Sequence, residues 1–134
     1  MTNREKRVLC PVCSARFAAV PDGAEGDIVR CSVCGQLLIL REDGGQWLGE
    51  RHAYLTDGEI RDRVDGFAAL RGYAFNEMKE EILEGLIAKR DAFGDFFCPC
   101  RLEHNADYQC PCKPTRGGDV DRTGRCHCGL FWKP

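Results

Sequence analysis

Ten cysteines in five close pairs constrain this 134-residue chain more than any other feature of its sequence. Two pairs have the spacing C-x-x-C and lie near the N-terminus, whereas three have the spacing C-x-C and lie near the C-terminus. A stretch of 63 residues without cysteine separates the two groups, so the pattern predicts two different metal sites. The pairs are Cys10/Cys13, Cys31/Cys34, Cys98/Cys100, Cys110/Cys112 and Cys126/Cys128.

Length and composition indicate the environment in which these cysteines work. The longest aliphatic run, Leu37–Leu40, is far shorter than the roughly 18 apolar residues of a membrane helix. The charged stretch Met1–Arg7 leads into no apolar segment, so no secretory signal is predicted. We therefore expect a cytoplasmic protein without a membrane partner, in which cysteines bind metal rather than form a disulfide framework. Because the formal net charge is −2, we expect no nucleic-acid partner either.

Hydrophobic periodicity predicts a β-type segment followed by a helical one. Short β-type runs occur at 7–9, 28–30 and 37–40, and Asp43-Gly44-Gly45 is typical of a hairpin turn returning through 46–48. Helical spacing predicts a first helix over about 57–71 and a second from Asn76 to Gly94. The first has a capping-box pattern at its start and a glycine after its end. We predict a small α+β protein with domains at 1–50 and 51–134.

The two C-x-x-C pairs predict a closed tetrahedral metal site, because four thiolates at this spacing suit zinc. A C-x-x-C turn directs backbone N–H groups toward the sulfurs, and Gly35 tolerates the left-handed backbone that such turns often need. Ser14 occupies the equivalent place after the first pair. Four cysteine ligands leave no open position for catalysis, so a structural zinc is expected, with an iron site of rubredoxin type as the alternative. The expected ligands are Cys10, Cys13, Cys31 and Cys34.

Residues 10–40 resemble zinc-ribbon domains, and in particular the small amino-carrier protein of lysine biosynthesis. The resemblance rests on the sequence CPVC at 10–13, the acidic link at 20–29 and the sequence CSVCG at 31–35. That carrier uses a glutamate at its extreme C-terminus, whereas Glu50 is internal here. The resemblance therefore implies a zinc-ribbon or rubredoxin-like fold over 1–50, without the carrier activity.

The three C-x-C pairs place six thiols within 31 residues, too closely for an ordinary zinc finger. In extended backbone, side chains two residues apart project to the same side, so both sulfurs of a pair can approach one small object. A [4Fe–4S] cluster needs four thiolates, which leaves two cysteines that can cycle between dithiol and disulfide. The spacing alone leaves fifteen choices of four ligands from six.

The order CPC, CPC and CHC, followed by Gly-Leu-Phe, resembles the catalytic chain of ferredoxin:thioredoxin reductase over about residues 57–134. The gaps of nine and thirteen residues between the motifs differ from those of the plant form. The resemblance implies a mainly α iron–sulfur domain after the all-β zinc ribbon, with Cys100 as attacking thiol and Cys128 as its disulfide partner. It implies the cluster ligands Cys98, Cys110, Cys112 and Cys126.

The same resemblance implies an iron–sulfur disulfide reductase. Such an enzyme takes single electrons from ferredoxin or a similar donor and reduces thioredoxin or another protein disulfide, which needs two electrons. His127, beside Cys128, can supply or accept protons near neutral pH, whereas His52 and His104 are expected on the surface. Two alternatives remain open, a non-enzymatic electron carrier or redox sensor and an all-zinc adaptor protein.

Overall fold

Five β-strands form one mixed sheet within residues 6–19 and 23–134, the part of the chain that this computed structural model describes. In space the order is β2-β1-β5-β4-β3, with β1 parallel to β5 and every other neighbouring pair antiparallel. Most of Met1–Arg7 and the first part of the acidic link lie outside the described residues. The strands are β1 (Lys6–Leu9), β2 (Arg16–Ala19), β3 (Ile28–Arg30), β4 (Leu37–Asp43) and β5 (Gln46–Arg51).

The predicted β runs and the hairpin are confirmed. Asp43 pairs with Gln46, and the two residues between them, Gly44 and Gly45, both have positive φ, as a two-residue hairpin turn requires. Strand β2 was not predicted, because its short sequence Arg-Phe-Ala-Ala lacks the β-branched residues that mark strands. Its alternating burial shows that tertiary packing, rather than propensity, fixes it as a strand.

Two helices of fifteen residues follow the sheet, α1 (Asp57–Arg71) and α2 (Lys79–Phe93). Helix α1 has the predicted bounds, because the Thr56 hydroxyl accepts a hydrogen bond from the Glu59 amide and Gly72 ends the helix in left-handed geometry. Helix α2 begins three residues after the predicted cap. The Asn76 side chain instead accepts from the Met78 amide at 3.0 Å and closes a turn that precedes the helix.

The remaining described elements are short and lie among the C-terminal cysteines: a 3₁₀ turn (Ala106–Tyr108), α3 (Lys113–Arg116) and α4 (Asp119–Thr123). None of the helices within 6–19 and 23–134 combines the length and the apolar character needed to cross a bilayer. The observed class is therefore α+β, with strands first and helices after them.

Buried side chains form two clusters. The first lies against the sheet, where Val8, Phe17, Leu38 and Leu40 surround three of the C-x-x-C cysteines. The second lies between α1, α2 and the C-terminal segment. Each cysteine group therefore lies beside its own apolar cluster. The larger members of the second cluster are Ile60, Val64, Phe67, Leu83, Leu86, Phe96, Leu130 and Phe131.

The sheet packs on helix α1 at a point where only glycine fits. Gly35 has φ +86°, and a Cβ added to it would lie 2.6 Å from the Phe67 amide nitrogen and 2.7 Å from the Arg63 carbonyl oxygen. The backbone of the turn after β3 therefore touches the backbone of α1 directly.

A buried charged network joins the end of the sheet to both long helices. Arg51, at the end of β5, binds the Glu59 carboxylate in α1 and the Asp95 carboxylate after α2, the latter at 2.9 Å. Arg63, fully buried, binds Glu59 at 3.1 Å. Because every charge in this network has a partner, the desolvation cost of burying it is offset.

The contact at Gly35 gives a direct test of this packing. We expect Gly35→Ala to lower the free energy of unfolding by about 1–3 kcal/mol more than Gly26→Ala does, because a new methyl group must displace helix backbone. Gly26 is the matched control, since its φ is +94° and an added Cβ would have no atom within 4 Å. Denaturant unfolding of the metal-loaded chain measures both values, and equal losses would contradict the contact.

Candidate functional site

The N-terminal cysteines lie in two turns at the same end of the sheet. Cys10 and Cys13 lie in the turn between β1 and β2, and Cys31 and Cys34 lie in the turn between β3 and β4. We call these turns the first and second knuckle. In the first, the Ser14 amide donates to the Cys10 carbonyl at 2.9 Å. In the second, the Gly35 amide donates to the Cys31 carbonyl at the same distance. Ser14 takes the same left-handed backbone as Gly35, with φ 63°, so the two knuckles are alike despite the different residue.

The four sulfurs of the knuckles meet in one cluster. All lie within 4.8 Å of one another, with 3.7 Å between the sulfurs of Cys10 and Cys34 and 3.8 Å between those of Cys13 and Cys31. Four sulfurs at about 2.3 Å from a tetrahedral zinc ion are about 3.8 Å apart. The geometry therefore fits a metal ion held by four cysteines.

Proximity also controls the ionisation of these thiols. Hydrogen bonding from Cys10 lowers the pKa of Cys13 well below its usual range. The pKa of Cys34 is raised, because its thiol shares a proton with Cys10 and is buried. Four sulfurs this close cannot all ionise unless a cation replaces the protons, which is the role that a metal ion takes in such a site.

The first two C-x-C pairs are brought together by a short antiparallel ladder. Phe97 bridges Gln109, the Cys98 amide donates to the Tyr108 carbonyl at 2.7 Å, and the Cys110 amide donates to the Phe96 carbonyl at 2.9 Å. The nine residues 101–109 connect the first motif to the second, and most of them form a loop whose two ends lie side by side at this ladder. Cys98 and Cys110 consequently start the two motifs side by side.

The third C-x-C pair is held by the C-terminal segment. The Cys126 amide donates to the Phe131 carbonyl at 3.0 Å, and Trp132 bridges both Arg125 and Ala74. Ala74 follows helix α1, so these bridges attach the third motif to the helical part of the chain. The segment from Arg125 to Trp132 therefore folds back on itself and carries Cys126 and Cys128 inward.

Five of the six C-x-C cysteines line one small cavity. Cys98, Cys110, Cys112 and Cys126 are buried, Cys128 is half-buried, and Phe131 closes one side. A [4Fe–4S] cluster needs four thiolates, and this lining supplies five cysteine sulfurs. The donor set around the cavity therefore fits a [4Fe–4S] group.

Hydrogen bonds to sulfur order the cavity further. The Phe131 amide donates to the Cys126 sulfur at 3.3 Å, and the Thr115 hydroxyl lies 3.1 Å from the Cys112 sulfur. Hydrogen bonds from the Cys128 thiol lower the pKa of Cys98 to about 7 and that of Cys126 to about 6. The pKa of Cys128 is raised because its thiol donates to these two sulfurs. Two cavity cysteines thus ionise readily.

Cys100 lies outside the cavity lining and is exposed, unlike its neighbour Cys98. Its pKa is raised by partial burial and by the nearby charge of Cys98. A thiol on the surface next to a lined cavity is placed to meet another protein.

His127 is exposed and lies on two surfaces at once. It lines the cysteine cavity and also an open cleft with Arg101, Arg125 and Thr123. His127 therefore borders both the cysteine cavity and the open cleft. His104 departs from the surface position expected for it. Its ring is half-buried and stacks on Phe93 with a centroid distance of 3.7 Å.

Two arginines hold the backbone of the second C-x-C motif, a role that was not predicted from the sequence. The Arg63 guanidinium donates to the Cys110 carbonyl at 3.0 Å, and that of Arg116 donates to the Pro111 carbonyl at 2.9 Å. A signal for Arg63 does exist in the sequence. It lies three residues after Ile60 and four before Phe67, on the apolar side of α1, where a charged residue needs a specific partner.

Comparison with known proteins gives consistent matches in this part of the chain. The catalytic chain of ferredoxin-thioredoxin reductase from Cyanidium caldarium is 37% identical over 60 residues, which is 40% of this chain and 50% of that protein. The chain of the same name from Porphyra purpurea is 37% identical over 68 residues, 46% of this chain and 53% of that protein. The chain thus spans about half the length of these curated relatives.

A family model described as the ferredoxin thioredoxin reductase catalytic beta chain matches residues 58–134. This region begins within helix α1 and contains all six C-x-C cysteines, and it covers more than half of the sequence. The resemblance noted from the three motifs is therefore confirmed, and the chain belongs to the ferredoxin thioredoxin reductase catalytic beta chain family.

Proposed function

We propose that this chain is an iron–sulfur disulfide reductase, in which electrons reach a [4Fe–4S] cluster singly and leave in pairs through Cys100 and Cys128. The observation that carries the proposal is the cavity lined by Cys98, Cys110, Cys112, Cys126 and Cys128, beside the exposed Cys100. An electron carrier or redox sensor would need the cluster ligands but no pair of further cysteines beside them. Family membership supports the same activity.

We propose that residues 1–50 form a zinc-ribbon or rubredoxin-like domain and that residues 51–134 form the catalytic domain. The two separate apolar clusters support this division. Zinc is the metal proposed for Cys10, Cys13, Cys31 and Cys34, since four thiolates close the coordination shell. Iron in the same site is the alternative. The second cofactor is the cluster, bound by Cys98, Cys110, Cys112 and Cys126.

The reaction starts from a Cys100–Cys128 disulfide. An iron–sulfur cluster, when bound, supplies electrons one at a time and so matches a one-electron donor to a two-electron reduction. Once the disulfide is opened, the Cys100 thiolate attacks one sulfur of the target disulfide. A bond forms between Cys100 and the target, and the other target sulfur leaves as a thiolate that takes a proton.

The second half of the reaction releases the product. The Cys128 sulfur attacks Cys100, re-forms the Cys100–Cys128 bond and expels the remaining target sulfur, which takes a second proton. Two electrons and two protons thus convert one target disulfide into two thiols. We assign proton transfer to His127, whose exposed ring lies on the cavity that Cys128 lines.

The partners proposed are ferredoxin or another one-electron donor, and thioredoxin or another disulfide protein. Arg101, Arg125 and Asp119 line the open cleft beside His127, and the two arginines outweigh the one carboxylate, so this edge of the site has net positive charge. Ferredoxins are typically acidic, so complementary charge would speed their encounter with the cleft. The disulfide partner must approach Cys100, because that cysteine is the exposed one of the pair.

The metal assignment predicts separate losses in two variants. Protein purified without oxygen should contain about four iron and four sulfide ions and one zinc ion per chain. We expect Cys110→Ser to lose most of the iron and sulfide but keep the zinc, because a hydroxyl is a poor ligand for these irons. We expect Cys31→Ser to lose the zinc but keep the iron. Elemental analysis and a sulfide assay measure both.

Cys100→Ser is the matched control for Cys110→Ser, because it removes a cysteine of the same motif type that is not a proposed ligand. It should keep full iron and sulfide. Full iron and sulfide in Cys110→Ser would show that the ligand assignment is wrong.

The two redox cysteines are expected to play unequal parts. Cys128→Ser should retain the attacking thiol but lose the sulfur that resolves the intermediate, so the disulfide partner should be trapped covalently on Cys100. Non-reducing electrophoresis and mass mapping with a thioredoxin as the target detect this adduct, and steady-state turnover should fall at least about a hundredfold.

Cys100→Ser is the counterpart of this variant and should form no adduct. Adduct formation by Cys100→Ser and not by Cys128→Ser would reverse the two roles. Undiminished turnover in both variants would exclude the reductase mechanism and leave an electron carrier.

A further inference from the structure

Three arginines connect the metal knuckles of the sheet to the loop that carries Cys110 and Cys112. Arg63 donates from Nε to the Gln36 side chain, next to the second knuckle, at 2.7 Å and from Nη1 to the Cys110 carbonyl at 3.0 Å. Its side chain is completely buried, so water does not compete for these bonds.

The second connection runs through Arg116, in α3. Its Nε donates to the Pro111 carbonyl at 2.9 Å, between the two cysteines of the motif, and its Nη1 donates to the Cys13 carbonyl of the first knuckle at 3.4 Å. One guanidinium therefore contacts the backbone of both cysteine sites.

The third connection runs through Arg71, at the end of α1. It donates to the Arg116 carbonyl at 3.1 Å and to the Val33 carbonyl of the second knuckle at 3.4 Å. Each of the three arginines therefore links a knuckle, or the residue next to it, to segment 110–116. This segment contains two of the proposed cluster ligands.

We propose that Arg63 is a positioning residue which, with Arg71 and Arg116, clamps segment 110–116 onto the two knuckles, so that metal binding in the sheet fixes the backbone of Cys110 and Cys112. Each knuckle keeps its carbonyls in place only while its cysteines are held by metal. Loss of that metal loosens the acceptors of all three arginines. The ribbon therefore serves as an outer support for the redox centre, a role that rests on the proposed function.

The test compares Arg63→Lys with Arg61→Lys in the full chain purified without oxygen. Arg61 is the matched control, because it lies on the same helix but is exposed and pairs with Glu80 on the surface. In Arg63→Lys we expect amide hydrogen exchange at Arg116 and Gly117 to become about tenfold faster, since the single ammonium nitrogen of lysine cannot reach the separate acceptors that the guanidinium nitrogens contact. We also expect shifted g values in the electron paramagnetic resonance spectrum of the reduced cluster.

Arg61→Lys should match the unaltered chain in both measurements. Unchanged exchange and spectrum in Arg63→Lys would overturn the proposal. If Arg63→Lys does not fold, Arg116→Gln takes its place, because it breaks a partly exposed link. Arg61→Gln is then the control, and hydrogen exchange at Gly117 and the cluster spectrum decide.

Cys31→Ser provides the converse experiment. Removal of the knuckle metal should accelerate exchange at Arg116 and Gly117 and shift the cluster spectrum while iron content is kept. Unaltered exchange in this variant would overturn the coupling. If the unaltered chain contained no cluster, the proposed function would be wrong, but the exchange measurement would still test whether the arginines clamp segment 110–116.

Discussion

The buried carboxylate of Glu59 is the centre of a polar network that links the sheet, the second knuckle and helix α1. It lies in the first turn of α1 and accepts from Arg51 at the end of the sheet, from Arg63 in the next turn and from the Gln36 side chain beside the second knuckle. Arg51 continues the network to Asp95, which in turn accepts from the amide of Phe96 at the start of the ladder. Loss of one member of a buried network typically costs about 3–5 kcal/mol, because its partner charges stay buried without compensation.

Features that neighbouring residues determine could be predicted from the sequence, whereas features that depend on such long-range contacts could not. The hairpin at Gly44-Gly45 and the bounds of α1 are encoded by neighbouring residues, so local rules were sufficient. Strand β2 and the hydrogen-bond partners of Arg63 depend on contacts with distant segments, which periodicity alone does not specify. The late start of α2 has a local cause, since the Asn76 side chain bonds an amide two residues on and makes a turn instead of a cap.

The candidate site was predictable to a similar extent and for a similar reason. Cysteine spacing indicated two sites, and the order of the three C-x-C motifs indicated the family, because both are properties of short segments. The arginines that bind Cys110 and Pro111 come from other elements and are held by backbone carbonyls, which every residue carries. No residue type at the acceptor marks such a bond, so the sequence around the cysteines gave no sign of it.

The ladder between 96–98 and 108–110 has a consequence for how proteins of this kind can diverge. It closes loop 101–107 at its base, so the positions of Cys98 and Cys110 are set by strand-like hydrogen bonds and not by the loop itself. Loop-closure entropy changes by only about 0.6 kcal/mol for each doubling of length. Insertions, deletions and new side chains can therefore accumulate in this loop, which starts immediately after Cys100, while the sulfurs stay in place. Selection for a new protein substrate can act on the loop without disturbing the chemistry beneath it.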